Sequence, residues 1–173
     1  MNDRFPLEQI IIHRGNFLPA GFAARAVEVL RDSDDYALEA TREGVRLHAA
    51  SEPALEFPCA LLRDAFGDAI AFAPVTIKAP RHDGRFYHPV MAVRTSVPTA
   101  AQPAVAGTLR ARGATMLEED RQHGRVVTRA CGSLRGLLGL PAALRKVAGD
   151  DARLWIWLSH YAPDDPEGGG KAA

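Results

Sequence analysis

Cysteine is nearly missing. Cys59 and Cys131 are the only two in 173 residues, and without a CxxC spacing they make neither a zinc site nor a disulfide framework. They read as buried free thiols in a reducing compartment. An excess of either charge is missing too. Lys plus Arg and Asp plus Glu number 21 each, so no bulk field recruits nucleic acid or a membrane surface, and any nucleic-acid contact must come from a local patch. Long apolar runs are absent: none approaches the ~20 residues of a membrane helix. The start, MNDRFPLEQ, lacks a basic segment followed by an apolar one, so no signal peptide is expected and the cytoplasm is the default location. Phosphate-binding motifs are absent as well. There is no GxxxxGK[ST] and no Asn-Lys-x-Asp. Gly169-Gly170-Lys171 has no strand before it and no helix after it, so it is not expected to cradle phosphates.

What is present is an ordinary folding composition. Apolar residues make up 47% and charged residues 24%, and the length suits one ordinary domain or two small ones. Residues 7–14 read as a strand centred on Ile10-Ile11-Ile12, with Gly15, Asn16, Pro19 and Gly21 marking the loop after it. Residues 22–31 read as a helix with Phe22, Ala26, Val29 and Leu30 on one face and Ala23 and Val27 beside them. Asp32-Ser33-Asp34-Asp35 ends it, because short polar side chains compete for backbone bonds. Residues 36–41 and 45–50 are strands joined across Glu43-Gly44. Ser51 is the expected N-cap of a second helix reaching Phe66, with Pro53 near its first turn and Pro58 kinking it or delaying its start. A strand over 70–78 closes this half. Strand, helix, strand, strand, helix, strand is the split βαβ or ferredoxin-like arrangement, one four-stranded antiparallel sheet with two helices on one face.

The pattern repeats after Ala79-Pro80-Arg81-His82-Asp83-Gly84-Arg85, the strong break in mid-chain. The expected organisation is a domain over 1–80, a linker over 81–88, a second domain over 89–163 and a flexible tail over 164–173. Residues 91–97 form a strand with Met91, Val93, Thr95 and Val97 on one face. Thr99 with Gln102 has the form of a capping box for a helix to Arg112, ended by Gly113. Strands over 115–119 and 125–131 meet at His123-Gly124. In the closing stretch Leu134, Leu137, Leu138, Leu140, Leu144 and Val147 recur at helical spacing. The period then changes to two: Leu154, Ile156 and Leu158 point one way, Trp155 and Trp157 the other. The expected fold class is α+β, with two ferredoxin-like domains.

The closing stretch resembles the last helix and strand of elongation factor G, the translocation GTPase, in its domain V. That family ends a similar helix with Gly-Tyr-Ala-Thr-Asp-Leu-Arg-Ser and closes on Phe-Ser-His-Tyr followed by Pro. Here stand Gly139, Ala142, Leu144 and Arg145, then Leu158-Ser159-His160-Tyr161 and Pro163, in the same register. His88-Pro89-Val90-Met91 is similar to the family's Glu-Pro-Ile-Met at the start of domain V, and Thr128-Arg129-Ala130 to its Ile-Arg-Ala. The first half resembles domain III. Glu52, Leu55 and Glu56 match a Gly-Glu-Leu-His-Leu-Glu motif whose histidine is Ala54 here, and Phe66-Gly67 matches the helix end. Two stretches depart from the family. Its Leu-Asn-x-Arg-Arg-Gly is shortened to Leu109-Arg110-Ala111-Arg112-Gly113, and its Gln-Gly-Arg-Gly is the acidic Gly149-Asp150-Asp151-Ala152. The resemblance covers nearly the whole chain but two of the family's five domains, with a short linker where domain IV stands. It implies a non-catalytic protein that binds the ribosome or a translation factor, without GTP binding or hydrolysis. Translocation by this chain alone is not implied, because domain IV is the part that enters the decoding site. The alternative is a protein-interaction module on a reused scaffold, unrelated to translation. No cofactor, metal or membrane is expected.

Other constellations are weak. His82, Asp83 and His88 lie close in sequence, but structural zinc needs four ligands, and a solvated linker is the simpler reading. Asp32, Asp34 and Asp35 read as a helix-ending loop. Ser159-His160 lacks a converging acid for a hydrolase triad. The candidate site is the open sheet face of the second half, formed by Arg94, Arg129, Trp155 and Trp157. If Leu154, Ile156 and Leu158 face the helices, all four of these face away, and split βαβ ordering sets Arg94 beside the tryptophans. Adjacent exposed tryptophans make an apolar patch, and patches signify contact. Both indoles are expected to lie mostly buried against the first domain, a twin chain or a partner protein, with Arg94 or Arg129 stacked on one of them. RNA stacking is the remaining reading, although no RNP1-like aromatic string is present.

Overall fold

The computed structural model describes residues 4–15 and 19–164; most of the expected tail lies outside them. The first half contains β1 (Leu7–His13), α1 (Pro19–Val29), β2 (Tyr36–Ala40), β3 (Val45–Ala49), α2 (Pro53–Phe66), β4 (Ile70–Phe72) and β5 (Thr76–Ile77). Its strands pair antiparallel in the order β2-β3-β1-β4, the split βαβ order. Period-two alternation buries Leu7 and Ile11 on β1 and Val45, Leu47 and Ala49 on β3. Phe22, Ala23, Ala26 and Leu30 of the first helical segment and Leu55 and Leu62 of α2 supply the other side of this core. Burying one such aliphatic side chain contributes about 1.5–3 kcal/mol. Gly44 turns the chain from β2 to β3 at φ +149°, and a Cβ there would lie 2.2 Å from the Ile11 carbonyl oxygen, so only glycine fits.

Several local expectations are corrected. Val29 and Val27 are exposed, so the apolar stripe of the first helix is narrower than expected. The last strand breaks at Ala73-Pro74-Val75, because Pro74 has no N–H for the ladder, and resumes as β5 beside β1. Ser51 is buried and does not cap α2; Glu52 holds the N-cap position and makes no side-chain cap bond. Pro58 is buried inside α2 without ending it.

The second half contains β6 (Arg81–His82), β7 (Arg85–Pro98), α3 (Gln102–Ala111), β8 (Thr115–Gln122), β9 (Arg125–Ser133), α4 (Leu134–Leu137), α5 (Leu140–Ala148) and β10 (Arg153–Pro163). The order β10-β7-β9-β8 repeats that of the first sheet, so the fold is two ferredoxin-like units. The expected linker is strand-paired: β6 and β7 form a hairpin in which His82 faces Arg85. Asp83 and Gly84 both have positive φ, the geometry of a tight two-residue hairpin turn. His123-Gly124 makes the same kind of turn between β8 and β9. The expected capping box is not formed. The Thr99 hydroxyl donates to the Gly124 carbonyl at 3.0 Å, and the Gln102 amide reaches Glu119. The expected closing helix is two helices. Gly139 takes a left-handed conformation at φ +76°, and Pro141 opens the first turn of α5. Leu134, Leu137, Leu140 and Leu144 are buried, whereas Val147 points to solvent. The buried residues of both halves join in one apolar cluster. Among the described residues no helix is long and apolar enough to cross a membrane.

Candidate functional site

Alternation on β10 decides what the second sheet shows to solvent. Leu154, Ile156 and Leu158 turn towards the helical layer and pack on the core. Trp155 and Trp157 turn to the open face and remain 43% and 47% exposed. The paired registers lay three of the four candidate residues in one row with Glu118: Trp155 faces Arg94, Arg94 faces Arg129, and Arg129 faces Glu118, while Trp157 faces Ala92 in the next row. The Arg94 guanidinium lies over the Trp155 ring, 5.2 Å from its centre. At an exposed site such a stack contributes about 0.5–1 kcal/mol. Arg129 does not stack; its guanidinium donates to Glu118 at 2.8 Å. Arg94, Arg129, Glu118, Asp120, Gln122 and Val127 line a cleft of about 200 Å³ on the far side of Arg94 from the indoles. The face thus offers two indoles at one edge and a mixed-charge floor beside them.

The first domain does not cover this face, which corrects one expectation for the tryptophans. It docks on the helical side. The Gly139 amide, at the turn between α4 and α5, donates to the Glu52 carboxylate at 2.6 Å, and Arg145 lies 3.7 Å from Glu56. Arg112, at the end of α3, donates to the carbonyls of Gly136, Leu138 and Gly139, holding that turn in shape. A Cβ on Gly136 would lie 2.4 Å from the Arg112 carbonyl oxygen, which keeps that position glycine. Sequence reasoning missed Arg112 and the Glu52–Gly139 bond. The acid before Pro53 and the glycine before Leu140-Pro141 were visible, but nothing local says that they meet.

Other candidates resolve into local structure. Asp32 accepts from the Leu38 amide at 2.9 Å and Arg4 pairs with Asp34 at 2.8 Å, the pattern of a polar loop. His82 lies 3.3 Å from Asp83, and His88 bonds Asp164 at 2.9 Å. Among the described residues no group of three or more metal-ligating side chains converges. Ser159 and His160 bond only each other, at 3.1 Å, beside a bulge in β10. Cys59 and Cys131 are free and half-buried. Burial pushes the Cys59 thiol up to about 11, and it donates to Gln9 at 3.3 Å.

These features define a two-domain α+β protein with an uncovered sheet face. A similar fold occurs in the crystal structure of a Thermus thermophilus protein whose name states no activity. The superposition has a TM-score of 0.63 at 12% identity and covers 92% of this chain and 41% of that one. This chain therefore spans less than half the length of that protein, and the likeness concerns the fold alone. No family model and no curated protein matches the chain.

Proposed function

We propose that this chain is a non-catalytic, elongation factor G-like binding protein that docks on the ribosome or a translation factor and neither binds nor hydrolyses GTP. The observation that carries the binding role is the open face of the second sheet. Two indoles there stay exposed, while the bonds that join the two halves lie on the helical side instead. Exposed aromatic surface of this kind anchors protein contacts. The link to translation rests on the resemblance. Its support in three dimensions is that matched residues of the two halves, Glu52 with Gly139 and Glu56 with Arg145, meet at the domain interface. The floor of the face pairs Arg129 with Glu118 and adds Asp120. That balance suits a protein surface better than bare phosphate, which calls for unpaired cations.

Co-sedimentation of the tagged chain with ribosomes at low and moderate salt tests the reading. The chain is expected in the ribosomal pellet, and Trp155→Ala with Trp157→Ala is expected to remove it. Absence of the wild-type chain from the pellet at both salt concentrations sinks the proposal. The same mixed-charge face also suits a partner outside translation, and an affinity pull-down returning one non-ribosomal protein favours that second reading. Calorimetric titration is expected to show no heat of GTP or GDP binding.

A further inference from the structure

Antiparallel pairing of a strand with its own copy about a two-fold axis sets each residue opposite its mirror position in the sequence. Residues 154–158 read Leu-Trp-Ile-Trp-Leu, the same in both directions. An axis at Ile156 therefore places Leu154 opposite the second copy's Leu158, Trp155 opposite its Trp157, and Ile156 opposite itself. Every cross-strand pair is apolar, and directly opposed apolar side chains stabilise an antiparallel pair.

β10 is free to make this pairing. It is the terminal strand of its sheet, and among the described residues no strand pairs with its outer edge. It runs for 11 residues. Exposed edges are normally guarded by charge, proline or a bulge. The opposite edge of the same sheet has such guards: β8 carries exposed Glu118, Glu119, Asp120 and Arg121 and a bulge between Met116 and Glu118. Residues 154–158 have no charge and no proline, and the bulge in β10 comes only after Leu158. Leu154, Ile156 and Leu158 are half-buried, with apolar surface left for an opposing strand to cover.

We infer that two copies of this chain pair through β10 into one continuous sheet, in the register set by residues 154–158. The pairing gathers four indoles at the centre of the joined open face, with the two Arg94 side chains flanking them. A closed two-fold contact of this type is self-limiting, since pairing uses up the bare edge of each copy's second sheet. The dimer does not rest on the ribosome reading, because it forms in the isolated chain.

The test is sedimentation velocity of the full chain over a concentration series. A species of twice the chain mass is expected to grow with concentration. Trp155→Glu with Trp157→Glu sets acid against acid and is expected to leave a folded monomer, judged by circular dichroism. Trp155→Glu with Trp157→Lys sets acid against base and is expected to restore the dimer, because position 155 faces position 157. As a second measurement, Trp155→Cys chains mixed with Trp157→Cys chains are expected to join through a short thiol cross-linker, and neither alone. A wild-type chain that stays monomeric at every concentration overturns the inference. So does a Glu/Lys variant as dissociated as Glu/Glu, a Glu/Glu variant as dimeric as wild type, or a cross-link within one variant alone.

Discussion

The two sheets share one strand order and differ in what they leave uncovered. The open face of the first is knitted by charge. Arg46 on β3 lies 3.3 Å from both Glu8 on β1 and Glu39 on β2, and His48 lies 3.2 Å from Glu39. Each of these charged groups has an ion-pair partner there, although the buried Arg46 Nε and His48 Nδ1 make no hydrogen bond and Ile12 stays exposed on the same face. The open face of the second sheet carries Trp155 and Trp157, whose area is left over after folding. The edges differ in the same sense. β2 has 5 residues and β4 has 3, whereas β10 has 11. One topology thus carries a charge-paired face and an aromatic one, a difference set by the side chains rather than by the fold.

The largest expected effects lie on the inward faces, where the sheets should be alike. Leu47 and Met91 are fully buried, and Leu47→Ala and Met91→Ala should each cost about 2–5 kcal/mol in chemical denaturation. Trp157→Ala should cost about 1 kcal/mol or less in dilute solution, because half-exposed surface positions have little packing to lose. A cost for Trp157→Ala equal to that of Met91→Ala breaks the comparison, since the indole would then be covered within the chain.

A second difference sits inside. Thr95 on β7 and Thr128 on β9 face each other on the buried side of the second sheet, and their hydroxyls have no hydrogen-bond partner. Replacing both by Val removes two unsatisfied buried groups and should raise stability by about 1–3 kcal/mol. Unchanged or lowered stability in thermal melts would remove this difference between the sheets.

The charged faces give smaller effects. Arg46→Ala removes a cation shared by two carboxylates and should cost about 1 kcal/mol, more than Arg129→Ala, whose single exposed pair is worth about 0.2–1 kcal/mol. Both costs should shrink with added salt. Equal costs would show that the network adds nothing beyond one pair.

The smallest effect is a pH dependence confined to the first sheet. Hydrogen bonding from His48, with help from Arg46, holds the Glu39 carboxyl below its ordinary 4.5. A depressed acid contributes stability above its unfolded value and loses it as pH falls through the folded one. Wild type should therefore lose slightly more stability than Glu39→Gln as pH drops below about 4.5. Parallel pH profiles would remove this difference between the sheets.

Much of this was legible residue by residue. The alternation over 154–158 correctly told which way the tryptophans point, and split βαβ ordering put Arg94 beside Trp155. Other signals were present and read otherwise. Asp83-Gly84 is a hairpin turn sequence, but proline and charge around it suggested a linker. Gly139 before Leu140-Pro141 marks a helix start, yet the leucine spacing ran on through it. Thr99 and Gln102 had capping-box spacing, and tertiary partners at Gly124 and Glu119 took both side chains.

By itself the sequence determined the two split βαβ units and the side of the sheet on which each residue stands. Side-chain direction repeats every two residues in a strand and every 3.6 in a helix, and that geometry is covalent and local. Only the tertiary structure decided what lies over each side. Glu52 reaches Gly139 across 87 positions of chain, and that docking places the first domain on the helices and leaves the indoles bare. Alternation specifies a face, while what covers the face depends on distant residues whose meeting no local pattern encodes.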